Sequence, residues 1–498
     1  MAFSLFRHSL PTRLWIGASL LGAFILTITA GNMFLSRQRS IGRSMLGYDF
    51  LAFYTAGHFL NTGRPENVYD LPALRSFQEA EARRWGLELH GTYGPFWNPP
   101  FYAWIFRPLA RLPFPIALHV WWAVNLACCA LALAILWRLL PDRSWKSGGL
   151  VVALVVVSLP FSQALMHAQN TFTSLLILAV ATRLWLAAAC QGNWRGLPLS
   201  SPMFPVNENV SEHRHHGRDA HATRFGRPRA VPGRTCTLLP PDLLAGLVAG
   251  LMVYKPQLAM AVAAAMAITL GRRAILGMVL TGGGLVAMAA IFSPDLLGDW
   301  LTRMPSNLQW FQETNHYRWE RHITFKGFWR LLLQGHTLGT TSTLAWSISA
   351  GCMLGMAALI LGMLIRARRE INRPDTPAES RRSIAGRMIA ATFLGMPLLM
   401  PFYFDYDLLL LAIPGTLLAA DFLAHRSDSS ADRWIVRVWM ALYVWTLLGS
   451  SLAGLLRLQL SVPLLASLTL LQCARCRREA AVVRPETNIE EPHRAIAA

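Results

Sequence analysis

A succession of long apolar runs constrains this chain more than any other feature. A membrane helix needs about 20 mostly apolar residues. Runs of that kind recur at roughly 14–34, 115–137, 148–161, 171–189, 241–253, 257–271, 274–292, 342–365, 386–400, 407–424, 434–454 and 458–472. They predict an all-α polytopic membrane protein of about 12 transmembrane helices. Several runs are short, and 241–253 with 257–271 read as a broken or re-entrant pair. Composition agrees: 53% of residues are hydrophobic and 15% charged, against about 25% charged in soluble chains. A soluble multidomain enzyme, a disordered chain, a collagen and a disulfide scaffold are all excluded on this ground. The segment from Leu14 to Phe34 is too long for a secretory h-region and has no A-x-A site, so it reads as a permanent anchor.

The net charge of +19 raises the question of nucleic acid. Lysine occurs only at 146, 255 and 326, and the many arginines lie between apolar runs, so no lysine-rich arm exists. No nucleic-acid partner is expected; the arginines read as topology signals. With the N-terminus inside, the inner segments hold 29 Lys and Arg and the outer ones 16. Nine of those 16 lie in a loop of more than 60 residues, where charge has little influence on topology. Two large outer loops follow, 36–113 and 293–340, rich in Trp, Tyr, Asn and Pro. The inner loop 190–240 is rich in Arg, Pro and Gly and carries His213, His215, His216 and His221. It reads as a disordered cytosolic insert, with metal binding as the alternative. Residues 473–498 form a cytoplasmic tail. Cys473 and Cys476 make the chain's C-x-x-C, but no second pair stands at zinc spacing.

Chemistry concentrates in the outer segments. From Gly47 to Leu60, bulky residues recur at helical spacing, with Phe50, Phe53 and Tyr54 on one face. This predicts a helix lying in the membrane interface. Asp49 stands at its start, where the helix dipole favours a carboxylate; it is either a simple cap or a functional carboxylate beside the bilayer. Arg107 and Arg111, one turn apart, either snorkel to lipid phosphates or hold a substrate phosphate. Lys255 is the lone outer lysine between two apolar runs, a functional candidate or a snorkelling one. Residues 315–322 supply His316, Arg318, Arg321 and His322 among Tyr317 and Trp319, a set suited to phosphate and sugar or to a merely solvated loop. Asp405 and Asp407 flank Tyr406 at a helix mouth, where Asp-x-Asp either chelates a divalent cation, binds acceptor or caps the helix.

The order of these pieces resembles glycosyltransferase family 87. The carriers are Asp49-Phe50-x-x-Phe53-Tyr54-x-Ala56-Gly57, then Gly63 with Val68-Tyr69-Asp70, then Asn98-Pro99-Pro100-Phe101 with Pro108-Leu109-Ala110-Arg111-Leu112-Pro113. Ser158-Leu159-Pro160 with His167-Ala168-Gln169-Asn170 follows, then Ala245-Gly246, Ala249-Gly250 and Lys255-Pro256, then His322-Ile323-Thr324-x-x-Gly327. Departures are Ala168 for the usual glycine, His322 for asparagine, and the 190–240 insert. The resemblance covers about residues 14–424 and implies a GT-C-like bundle, spanning 1–472, in the plasma (inner) membrane. It implies transfer of a sugar, mannose before others, from a polyprenyl-phosphate donor to a glycolipid or envelope-glycan acceptor outside the membrane. No cofactor and no metal ligand set are expected. Asp49 is nominated as the general base. Tyr48, Tyr54, Asn98, Gln169, Asn170, Lys255, His316, Arg318, His322 and Asp407 are nominated as substrate-binding. A 12-span transporter is the alternative, although no internal repeat of the kind transporters carry is visible; an envelope assembly protein without chemistry is a third reading.

Overall fold

The computed structural model describes residues 47–86, 89, 93–191, 239–314, 317–425 and 430–482. The expected first span, almost all of the 190–240 insert, His316 and the end of the tail lie outside these residues. Among the described residues the secondary structure is helical, apart from one isolated antiparallel bridge between His322 and Phe404.

Three helices precede the first described span: α1 (Tyr48–Asn61), α2 (Leu71–Trp85) and α3 (Pro100–Phe106). The structure corrects the expectation for α1. It does not lie flat on a lipid surface with one apolar face, because residues all around it are covered, from Phe50 through Gly57 to Phe59. The cover comes from its own loop and the next helix. Phe53 stacks on Phe106 at 4.9 Å, and Phe106 meets Trp121 edge-on at 5.0 Å, pairings worth roughly 0.5–1.5 kcal/mol beyond area burial. Gly57 makes the approach feasible, since a Cβ there would collide with the Phe106 carbonyl.

The spans follow. α4 (Phe114–Trp137) is succeeded by α5 (Trp145–Val156) and α6 (Leu159–Met166), which meet at a bend of 61°. Ser158 accepts from the Phe161 N–H at the bend, and Pro160 occupies the first turn of α6, both helix-start signals. Then come α7 (Thr171–Cys190), the short α8 (Pro241–Tyr254) and α9 (Pro256–Leu270), and α10 (Arg272–Phe292). α8 and α10 pack with backbones almost touching, because Gly246 on one and Gly277 on the other have no room for a Cβ; small residues serve this purpose between membrane helices. A π-helical turn at Val279–Gly283 lets the Thr281 hydroxyl reach the Leu247 carbonyl. α11 (Pro294–Thr314) and α12 (Phe325–Gln334) occupy the 293–340 segment. α13 (Thr343–Ile371), α14 (Ala378–Leu399), α15 (Asp405–His425), α16 (Ser430–Leu456) and α17 (Ser461–Val482) complete the bundle.

Six of these helices, α4, α7, α10, α13, α15 and α16, are long and apolar enough to cross a membrane, and a seventh crossing results if the bent pair α5–α6 is one span. The expected broken pair is present as α8 and α9, parted at Lys255. The runs at 386–400 and 458–472 fall within α14 and α17, which are not among those six. α14 is the central post, buried almost continuously from Arg387 to Leu398. Around it, several helix ends converge: the start of α1, the α6–α7 junction, the α8–α9 break and the start of α15.

Candidate active site

At that convergence the side chains are polar. Asp49 lies in the first turn of α1, and its side chain caps nothing. Instead it accepts a 2.7 Å hydrogen bond from Gln169 Nε2, across 120 residues of sequence. The same amide group reaches the Tyr406 hydroxyl at 3.2 Å. His167 stands 3.7 Å from the Asp49 carboxylate. Burial, with the nearby Arg321, lowers the His167 imidazole to about 3, so it is neutral at physiological pH. Burial raises the Asp49 carboxyl, with the Gln169 bond opposing it. The Asp49 side chain is still 23% exposed, enough for another molecule to touch it.

Gln169 is aimed by its neighbour. Ala168 takes a left-handed φ of 52°, a conformation that suits glycine and strains other residues. That turn at the α6–α7 junction explains why the family pattern carries glycine there. The Ala168 carbonyl is held by the Trp121 indole at 2.8 Å.

Both carboxylates of the Asp-x-Asp pair are occupied, each by its own cation. Lys255 Nζ is 3.0 Å from Asp407 Oδ1, which also accepts from Thr171 Oγ1 at 2.7 Å. Arg321 binds Asp405 through Nε and Nη2, at 3.1 and 2.9 Å, and Gln163 adds a bond at 3.2 Å. Such buried pairs depend on full satisfaction, because loss of one partner strands a charge. Both cations also lie over the Tyr406 ring, each 5.7 Å from its centroid. Tyr406 is thus the common neighbour of Lys255, Arg321 and the Gln169–Asp49 pair. Of the three carboxylates in the cluster, Asp49 is the one that meets only an amide and a neutral imidazole among the described residues.

The remaining nominated residues divide into support and periphery. Asn98 donates to the Tyr254 carbonyl at 2.8 Å, next to Lys255, and Asn170 donates to the Tyr102 hydroxyl at 2.9 Å. Tyr102 stacks on Tyr254 at 4.7 Å. These four form a belt that fixes the α8–α9 break. Tyr54 is not brought to the cluster; it packs on Phe114 and donates to the Leu112 carbonyl. Tyr48 is half-buried on the first turn of α1. Arg318 is exposed yet close enough to lower His167 electrostatically. His322 is fully buried among Tyr317, Trp319, Phe402 and Phe404. Burial lowers it to about 3, so it offers a neutral ring rather than the cation expected of it. Neither His322 ring nitrogen, nor His167 Nδ1, nor Asn170 Oδ1 has a hydrogen-bond partner among the described residues; such buried orphans are unusual. Arg107 pairs with Asn61 at the surface and joins nothing here. His316 lies outside the described residues.

Sequence reasoning left Arg321, Tyr406, His167 and Gln163 out of the nominated set. Arg321 sat unranked among several loop cations, and nothing in the spacing linked it to Asp405, 84 residues away. Gln163, one turn before His167 in a largely apolar stretch, was a polar residue without a visible partner in the sequence, and that was the signal available.

The chain was compared with known proteins in three ways. The model of glycosyltransferase family 87 matches residues 96–206 and 230–401, more than half the chain. Its unmatched interval, 207–229, falls inside the stretch read as an insert. Asn98, Gln169, Asn170, Lys255, Arg318 and His322 lie within the matched residues, whereas Asp49, Asp405 and Asp407 lie outside them. No curated protein and no solved structure matches. The apolar spans, the polar cluster at their ends and the extent of the match lead to one assignment: the chain belongs to glycosyltransferase family 87 and is a membrane glycosyltransferase.

Proposed function

We propose that the protein transfers a sugar, mannose before other hexoses, from a polyprenyl-phosphate donor to a glycolipid or envelope-glycan acceptor. In this reading the chain crosses the plasma membrane about 12 times with its N-terminus in the cytosol, and the cluster around Tyr406 faces the extracytoplasmic side. The acceptor hydroxyl attacks the anomeric carbon of the donor and its proton passes to a carboxylate oxygen of Asp49. The bond from the anomeric carbon to the phosphate oxygen breaks, and polyprenyl phosphate leaves with the electron pair. Lys255, Arg321 and Arg318 meet the growing charge on that phosphate.

The observation that carries the reading is the unequal treatment of three neighbouring carboxylates. Two are paired with cations, and the third, Asp49, meets only an amide and an imidazole and stays partly exposed. A lipid-linked donor is supported by a second feature. A small cavity whose polar lining includes Gln163 and Asp405 shares Pro160, Leu408 and Thr446 with a larger apolar groove of about 180 Å³ between α5, α15 and α16. The kink of α16 at Gly449, whose φ is 69°, lies on this cavity's wall. An isoprenoid chain in the groove puts its phosphate beside Arg321.

The test is lipid-linked sugar analysis of membranes with and without the protein, followed by transfer from purified polyprenyl-phosphate mannose. Accumulation of one donor together with loss of one glycan is the expected result. Unchanged donor pools and glycans in its absence overturn the proposal.

A further inference from the structure

The end of the bundle farthest from Tyr406 carries a second feature. Asp405 begins α15 and Asp421 lies near its other end, so about a full helix length separates them. Around Asp421 the helices leave a half-open cavity of about 350 Å³. Its volume exists because the facing helices carry small residues: Gly386 on α14, and Ala420 and Ala424 one turn apart on α15. A Cβ on Gly386 would meet nothing within 4 Å. Leu139, Leu186 and Leu417 supply an apolar floor.

Charge on the lining is asymmetric. Asp421 is already neutralised: Arg387 binds it through two bonds of 2.8 and 2.9 Å, and Arg475 reaches it at 2.9 Å. Ser383 and His425 also contact it. Arg143 and Arg382 line the cavity too, and both are exposed. Neither makes a hydrogen bond or ion pair among the described residues. Glu379, in the first turn of α14 where the helix dipole favours it, opposes only one of them. An apolar floor beneath two guanidinium groups matches an amphiphile with a phosphate head, since the planar fork of arginine suits phosphate oxygens. The lining comes from the α4–α5 junction, Leu186 on α7, the start of α14 and the end of α15; the connecting segments at this end are cytosolic by charge count, and the leaflet on that side carries the anionic lipid.

We infer that this cavity holds the headgroup region of one anionic glycerophospholipid, with the phosphodiester at Arg143 and Arg382 and an acyl chain against the leucine floor. The site is distinct from the cluster at Tyr406 and does not depend on the sugar-transfer proposal. It accounts for the gap between α14 and α15, helices that otherwise pack tightly.

Native mass spectrometry of the full-length protein in neutral detergent tests this, with phosphatidylglycerol, phosphatidylethanolamine and inorganic phosphate as probes. One phosphatidylglycerol is expected to be retained, at least tenfold more strongly than phosphatidylethanolamine. Arg143→Gln with Arg382→Gln is expected to weaken retention about 25-fold, at about fivefold per arginine. Gly386→Leu fills the cavity, raises helix propensity and is expected to abolish retention while the thermal midpoint holds; it decides the matter alone if the double variant does not fold. Equal retention of both lipids, retention by Gly386→Leu, or displacement of the lipid by millimolar inorganic phosphate overturns the inference.

Discussion

Asp49 sits where its charge is disfavoured. Burial raises its folded-state carboxyl above the ordinary carboxylate value, so the fold favours the protonated group. A carboxyl raised on folding contributes stability below its unfolded value, and that contribution is lost as pH rises through the folded value. Ionisation of Asp49 in the folded protein therefore opposes folding, and a carboxyl kept under such terms is a functional candidate. Asp49→Asn keeps the shape and the Gln169 contact, so its thermal midpoint is expected to equal or exceed the parent's while transfer falls 10²–10⁴-fold. Parent-like transfer by a well-folded Asp49→Asn protein returns the base to Asp405 or Asp407. The parent's acid limb is also expected above the ordinary carboxylate range, in a pH–rate profile of kcat/KM. Ala168 makes a second case. Relief of its left-handed strain in Ala168→Gly is opposed by the lost methyl and the looser unfolded chain, so the net change is expected within about 1 kcal/mol of zero. Ala168→Val adds a β-branch at the same φ and is expected to destabilise by at least about 2 kcal/mol. A valine protein as stable as the parent means that the turn relaxes. Asp49 and Gln169 were legible in the sequence because each stands in a short local pattern. Their contact was not, because a hydrogen bond across 120 positions leaves no local trace.

At the scale of elements, the sequence was most informative where hydrophobic length alone decides. The runs behind α4, α7, α10, α13, α15 and α16 became helices of spanning length, and the proline after Lys255 marked the α8–α9 break. It misplaced α1, whose aromatic face suggested lipid; Phe106 and Trp121 cover that face, and no periodicity within α1 could report residues 50 or more positions away. The break itself yields a prediction. Lys255 lies between α8 and α9 and neutralises Asp407 on α15, so Lys255→Met alone strands a buried carboxylate. A loss of about 3–5 kcal/mol is expected, seen as a lower thermal midpoint. Lys255→Met with Asp407→Asn removes both charges and is expected to recover most of that midpoint. Compared with Asp407→Asn alone, the double variant then isolates function: weaker donor binding in a folded protein assigns Lys255 to the phosphate, and equal affinity removes it from the site.

Across the whole molecule, two polar assemblies lie at opposite ends of α15, and their charge character differs. The Tyr406 cluster joins parts of 36–113 and 293–340 to helix ends, with three carboxylates to two buried cations. The Asp421 end gathers segments from the arginine-rich side, where Arg387 and Arg475 serve Asp421 and further arginines face the cavity. The positive-inside rule connects this asymmetry to orientation, because cytosolic loops retain Lys and Arg. Under that rule the proposed function puts the Tyr406 end outside, where the proposed lipid-linked donor and glycan acceptor would meet without crossing the bilayer. The orientation is open to direct measurement, because exposed positions exist at both ends. Gln309 on α11 is exposed near the Tyr406 side, Glu79 on α2 is half-exposed, and Arg373, after α13, is exposed toward the Asp421 side. In intact cells a membrane-impermeant thiol reagent is expected to label Gln309→Cys and Glu79→Cys but to reach Arg373→Cys only after lysis. Labelling of Arg373→Cys in intact cells would invert the molecule. The Asp49 carboxylate would then face the cytosol, and an extracytoplasmic acceptor would have to be abandoned along with the assignment of the Asp421 cavity to the cytosolic leaflet.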